Sequence, residues 1–202
     1  MKFLSIEAAE DVKHARPLRL ELGSGGFIRE GYYGVDALEM PGVAIQADLN
    51  LPLSLLPDDS VGEVVSHHCF EHVANFLGLM RELHWVMRPG ARMTIVVPHF
   101  SNPYYYSDPT HLRFFGLYTM HYFVSEANQP GERKVPCFYT DLRFEVLKVA
   151  IDLMPRSLFT RLRWPFLSKL INRSFAWSDW YERRLCWTVP ASTIEYVLSP
   201  VK

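Results

Sequence analysis

Residues 18–26 read Leu18-Arg19-Leu20-Glu21-Leu22-Gly23-Ser24-Gly25-Gly26. Leucine at every second position predicts a strand, and the glycines directly after it predict a turn whose backbone can approach a ligand, because glycine has no Cβ and tolerates positive φ. Working outward, Tyr32-Tyr33-Gly34-Val35 is a second strand-like piece that stops at Asp36, and Val43-Ala44-Ile45-Gln46-Ala47 a third that stops at Asp48. Val61 to Ser66 and Met93 to Val97 are a fourth and a fifth. Between these two, Phe76, Leu79, Met80, Leu83, Val86 and Met87 recur at the spacing of one helical face, and Arg88-Pro89-Gly90 stops the helix. Two further strands are expected around residues 144–151 and 193–198. Short apolar strands alternating with helices predict an α/β fold with a mostly parallel sheet.

The 202 residues suit one domain spanning 1–202. A hydrophobic share of 49% against 21% charged excludes a disordered chain. A net charge of −1 gives no global reason to expect nucleic acid as a partner. Cys69, Cys137 and Cys186 are few, odd in number and far apart, which fits neither a disulfide framework nor a zinc knuckle and points to a reducing compartment. The amino terminus meets an acid at Glu7, too early for the apolar core of a secretion signal, and no apolar run reaches the roughly 18 residues of a spanning helix. The expected location is cytoplasmic, with peripheral contact at the inner membrane face as an addition. Residues 101–143 and 152–192 are too long for plain loops and are read as ordered lid or substrate segments.

In an open parallel sheet, ligands sit outside the carboxyl ends of the strands where strand order reverses. Three signals fall at such ends: the glycine turn at 23–26, Asp36 placed to accept both hydroxyls of a ribose, and Asp48 placed to accept from an exocyclic amine, with Leu49 against a purine face. Each alone has a plain alternative, since glycines often make only a tight turn and a strand-end Asp is usually solvated. Their order along one edge favours a nucleoside. A dinucleotide fingerprint begun at Gly23 would need glycine where Ile28 stands, and no phosphate-binding Gly-Lys-Ser/Thr is present, so the cofactor is not one held by its pyrophosphate.

From about Leu18 to Phe123 the sequence resembles the class I S-adenosylmethionine-dependent methyltransferases, in particular the small branch found beside polysaccharide and glycolipid biosynthesis. The resemblance is carried by Leu20-Glu21-Leu22-Gly23-Ser24-Gly25, Tyr33-Gly34-Val35-Asp36, Ala47-Asp48-Leu49, His68-Cys69-Phe70-Glu71-His72-Val73, Arg81 to Gly90, Val97-Pro98-His99 and Asp108-Pro109-Thr110-His111. It implies a Rossmann-like, mostly parallel seven-stranded sheet with helices on both faces and an antiparallel last strand, and S-adenosyl-L-methionine as cofactor. It further implies that Glu21, Gly23, Ser24 and Gly25 surround the methionine part, Asp36 holds ribose, Asp48 with Leu49 holds adenine, and His67 and His68 line the sulfonium end. The chain departs from the family where Phe27 replaces a third alternate glycine and where only about five residues separate Gly26 from Tyr32, so the first crossover must be an abbreviated turn.

Methyl transfer to an alcohol needs a proton acceptor. His111, oriented by Asp108, is the first candidate and His99 the second; the plain alternative is that His111 caps or packs under a lid. His99, Asp108 and His111 could instead hold a divalent ion on a sugar diol, but without tight ligand spacing no metal site is assigned. His67-His68 and Glu71-His72 suggest a metal cluster, but neighbours on a strand point to opposite faces, and the run is read as cofactor wall and helix start, with Glu71 supporting the helix amino terminus. Residues 155–190 carry seven basic residues against Asp179 and Glu182, together with Trp164, Trp177, Trp180 and Trp187. That stretch reads as a substrate lid or as a membrane-interface segment. The expected reaction is O-methylation of a sugar or glycan-linked small acceptor. The alternatives are a lipid-like or aromatic acceptor at a membrane surface, or a non-catalytic binding or scaffold protein that keeps the fold.

Overall fold

The computed structural model describes residues 1–154 and 166–202. Among these, the strands β1 (Lys2–Phe3), β2 (Leu18–Leu22), β3 (Tyr33–Asp36), β4 (Val43–Gln46), β5 (Val61–His67), β6 (Met87–Pro98), β7 (Arg143–Leu153) and β8 (Ala191–Val201) form one sheet in the order β1-β4-β3-β2-β5-β6-β8-β7. β4, β3, β2, β5 and β6 run parallel; β8 is antiparallel to both β6 and β7. The antiparallel last strand is as expected, but the sheet has eight strands rather than seven. The additional strand is β1, whose Lys2 and Phe3 pair antiparallel with Gln46 and Ile45. Two residues show no periodicity, so nothing in the sequence announces that edge strand.

The chain lays β3 and β4 to one side of β2 and then returns to place β5 and β6 on the other. Strand order therefore reverses between β2 and β5, and their carboxyl ends, Gly23 and His67-His68, flank the switch point. Leu20, Leu22, Val64, Ile95, Ile194 and Leu198 are buried along this centre.

Helix α1 (Ile6–Lys13) starts at Ser5, whose Oγ accepts from the Ala8 N–H at 3.3 Å. Helix α2 (Phe76–Val86) buries the predicted face, Phe76, Leu79, Met80, Leu83 and Val86, and its cap is Asn75, which accepts from the Gly78 N–H at 3.2 Å. The chain then enters β6 at Met87 with Gly90 at φ +75°, so this strand is longer than its apolar run. Helix α3 (Phe175–Arg184) starts at Ser174.

The short first crossover contains no helix. Ile28 fills the space instead: a Cβ on Gly34 would stand 2.7 Å from its Cδ1 and one on Gly42 2.6 Å, so both glycines make room for this side chain. The Arg29 N–H donates to Glu21 Oε2 at 2.6 Å and fastens the turn to β2.

Residues 103–107, 119–123 and 126–128 form single 3-10 turns in the connection between β6 and β7. Arg156, Arg161, Arg163 and Trp164 of the basic, tryptophan-rich stretch lie outside the described residues; 166–171 are helical, and Trp177, Trp180 and Trp187 are exposed. No helix among the described residues is long and apolar enough to cross a membrane.

Candidate functional site

A cavity of about 300 Å³ opens at the carboxyl ends of β2, β3, β4 and β5. Its wall brings together Gly23, Asp36, Asp48, Leu49 and His68 of the expected set, and adds Ala47, Cys69 and His72. Gly23 is at φ +66°, and a Cβ there would sit 2.5 Å from the Cys69 side chain, so only glycine lets the ends of β2 and β5 meet.

Asp36 joins the glycine turn to β3. Its Oδ2 accepts from the Gly25 N–H and its Oδ1 from the Leu38 N–H, both at 3.0 Å. Asp48 Oδ1 accepts from the backbone and side-chain N–H of Asn50, both at 2.9 Å, and these bonds hold the carboxyl below its ordinary range. Among the described residues its Oδ2 takes no protein hydrogen bond, so one acceptor stays available on the exposed side chain. Leu49 is buried behind it.

Glu21, Ser24, Gly25 and His67 lie beside the cavity wall rather than on it. One Glu21 oxygen is engaged by Arg29, and Ser24 Oγ is buried over Gly34 without a hydrogen-bond partner among the described residues. Arg29 also reaches within 3.4 Å of His67 Nε2; burial and then the nearby guanidinium hold this imidazole below its ordinary value.

Next to the cavity stands a histidine and carboxylate cluster. His68 leaves β5 at φ +51°, and Phe70–His72 form a 3-10 turn. Segment 101–123 folds back across this turn: the Leu112 N–H donates to the Glu71 carbonyl at 2.8 Å, and Arg113 Nε to the Val73 carbonyl at 2.8 Å. That return brings His111 Nε2 to 4.0 Å from Glu71 Oε1 and 3.6 Å from Asp108 Oδ2. His111 Nδ1 donates to the Tyr105 carbonyl at 3.0 Å, so Nε2 is the ring nitrogen that faces the carboxylates. Asp108 also accepts from the Thr110 hydroxyl and amide, which hold its carboxyl below the ordinary range.

Glu71 is fully buried, and among the described residues neither carboxylate oxygen has a hydrogen-bond partner. It is not the support of α2, whose cap is Asn75. His68 Nδ1 lies 3.4 Å from Glu71 Oε1, and the carboxylate holds that imidazole above its ordinary value. On a 3-10 turn, adjacent side chains are roughly 120° apart rather than opposed, so the opposite-faces argument drawn from strand geometry does not apply at residues 70–72. That geometry hid Glu71 and His72 from the sequence reading, although the adjacent pair after a strand end was the available signal.

His99 is placed elsewhere. It is fully buried; the Ser101 N–H donates to its Nδ1 at 3.1 Å, and its Nε2 lies 3.1 Å from Glu182 Oε1. Both ring nitrogens are thus engaged within the scaffold. Glu182, 83 residues away, carried no sequence signal.

No family model and no curated relative matches the chain. Solved structures do. An S-adenosylmethionine-dependent methyltransferase from Archaeoglobus fulgidus is 17% identical, with 96% of this chain and 93% of that one covered at a TM-score of 0.51. The MccD protein is 13% identical over 95% of each chain at 0.53. A Haloferax volcanii chain solved in complex with the Trm112 methyltransferase activator is 14% identical, covering 97% of this chain and 92% of that one at 0.51. At these identities the likeness is one of fold: this chain has the Rossmann-like α/β architecture that S-adenosylmethionine-dependent methyltransferases use.

Proposed function

We propose that the chain is an S-adenosylmethionine-dependent methyltransferase acting on a hydroxyl of a sugar or glycan-linked small acceptor. The observation that carries the reading is the acceptor set of the cavity. Two carboxylates, Asp36 and Asp48, stand at adjacent strand ends beside an apolar wall of Ala47, Leu49 and Val73, with the Gly23 turn at the switch point. Carboxylates only accept, which matches the O–H groups of a ribose and the N–H of an amine, while the apolar wall suits a purine face. When bound, the cofactor supplies a methyl group on a sulfonium. The protein's part is to hold the acceptor oxygen in line and to remove its proton.

Activation of the acceptor falls to the cluster of Glu71, His72, Asp108 and His111, which adjoins the cavity at His68 and His72. Exposed Tyr106 and Phe114 pack against Tyr105, whose ring lies 4.6 Å from that of His111, and offer flat faces on which a sugar ring can stack. Segment 101–143 and, of 152–192, the described residues 166–192 act as the lid and acceptor side of the site. The exposed Trp177 and Trp180 beside an apolar groove support a second reading, a lipid-like acceptor presented at a membrane surface.

Calorimetry with S-adenosylmethionine, followed by mass spectrometry of glycan extracts incubated with protein and cofactor, tests the proposal. Binding together with a gain of about 14 daltons on a hydroxyl is expected. Absence of cofactor binding would leave a scaffold that keeps the fold.

A further inference from the structure

We infer that Glu71, His72 and His111 form a divalent transition-metal site at the edge of the cavity. A carboxylate oxygen of Glu71 and one ring nitrogen from each histidine lie within 4.8 Å of one another. To share one ion at roughly 2.0–2.2 Å they must draw together to about 3.5 Å, a shift that side-chain rotations of this size supply.

The second observation is the state of Glu71. Its carboxylate is fully buried, and among the described residues neither oxygen makes a hydrogen bond; the half-exposed His68 imidazole, 3.4 Å from Oε1, is the nearest cation, and a buried charge so thinly compensated favours a further one. The two histidines are oriented for this. His111 Nδ1 donates to the Tyr105 carbonyl, so its Nε2 is the nitrogen turned towards Glu71 and free to bind an ion. Thr110 Oγ1 donates to Asp108 at 2.6 Å and accepts from His72 Nδ1 at 2.9 Å, so the second imidazole is likewise held through its Nδ1–H. Ligating histidines characteristically donate their other N–H to a carbonyl or to a carboxylate-backed partner. Two imidazoles and one carboxylate select an ion of the manganese-to-zinc series over magnesium or calcium, which prefer oxygen alone.

The use of the ion rests on the methyltransferase reading, whereas the site does not. Bound to it, an acceptor hydroxyl is acidified. The proton passes to the Asp108 carboxylate and on to solvent, the oxygen's electron pair forms the new O–CH3 bond, and the S–CH3 pair stays with sulfur. In this arrangement the His111 lone pair serves the ion.

The test is calorimetric titration of chelator-treated full-length protein with Zn²⁺ and separately with Mn²⁺. One ion per chain with micromolar or tighter affinity is expected. Thr110→Val should weaken it roughly 10–100-fold, and Glu71→Gln or His111→Gln by more. Millimolar affinity, or affinity unchanged in Glu71→Gln, would overturn the site. Should Glu71→Gln fail to fold, unchanged affinity in both His111→Gln and Thr110→Val has the same force. S-adenosylmethionine is titrated in parallel: metal binding without cofactor binding would sink the methyltransferase reading and leave the site standing.

Discussion

His99 Nε2 donates to Glu182 Oε1 at 3.1 Å, and the same oxygen accepts from the Leu117 N–H at 2.6 Å. One carboxylate on α3 therefore fixes both the end of β6 and the segment that returns across the cavity. His99→Ala leaves the buried Ser101 N–H without its acceptor, takes one of two donors from Glu182 Oε1 and empties a buried ring site, and should lower stability by about 2–3 kcal/mol. Urea unfolding measures this. A variant with wild-type stability but no turnover would move His99 into the chemistry.

Asp36→Ala should weaken S-adenosylmethionine binding by about 10–100-fold, the loss that follows removal of a charged hydrogen-bond partner. Because Asp36 also holds Gly25 and Leu38, the melting temperature is measured with the affinity. Unchanged affinity in a folded variant would remove the ribose assignment.

Asp48 offers an acceptor, so the wild type should bind the adenosyl cofactor more tightly than its inosyl analogue, which carries a carbonyl in place of the amine. Asp48→Asn supplies a donor and should narrow or reverse that preference. Equal binding of both forms by the wild type counts against Asp48 as the adenine contact.

Gly23→Ala combines a positive-φ penalty with a contact of 2.5 Å to Cys69. It should destabilise the protein by about 2–4 kcal/mol and displace the β2 turn from the cavity. Denaturant midpoints report the first effect and cofactor affinity the second. A fully stable variant would mean that the β5 turn yields freely.

His111→Ala should cost on the order of 10²–10⁴ in turnover with little change in cofactor affinity, because the side chain stands beside the cavity rather than on its wall. Wild-type turnover would reduce His111 to a packing residue under segment 101–123.

The sequence by itself determined the parallel core. Leu18–Leu22, Val43–Gln46, Val61–His67 and the α2 face are local patterns whose periods are set by backbone geometry, and Gly23, Asp36 and Asp48 follow from them as strand-end positions. It also showed that the first crossover is too short for a helix, though not that Ile28 would fill the gap beneath Gly34 and Gly42. Tertiary structure alone decided the eighth strand, since a two-residue edge has no period, and the placement of β8 between β6 and β7. It alone brought His111 to Glu71 across 40 residues and Glu182 to His99 across 83. Those meetings depend on a long connection folding back over the strand ends, and no local pattern encodes where such a return lands. Burial separated the two histidines in the same way: His99 was drawn into the scaffold with both nitrogens engaged, while His111 kept Nε2 directed at the buried Glu71 carboxylate.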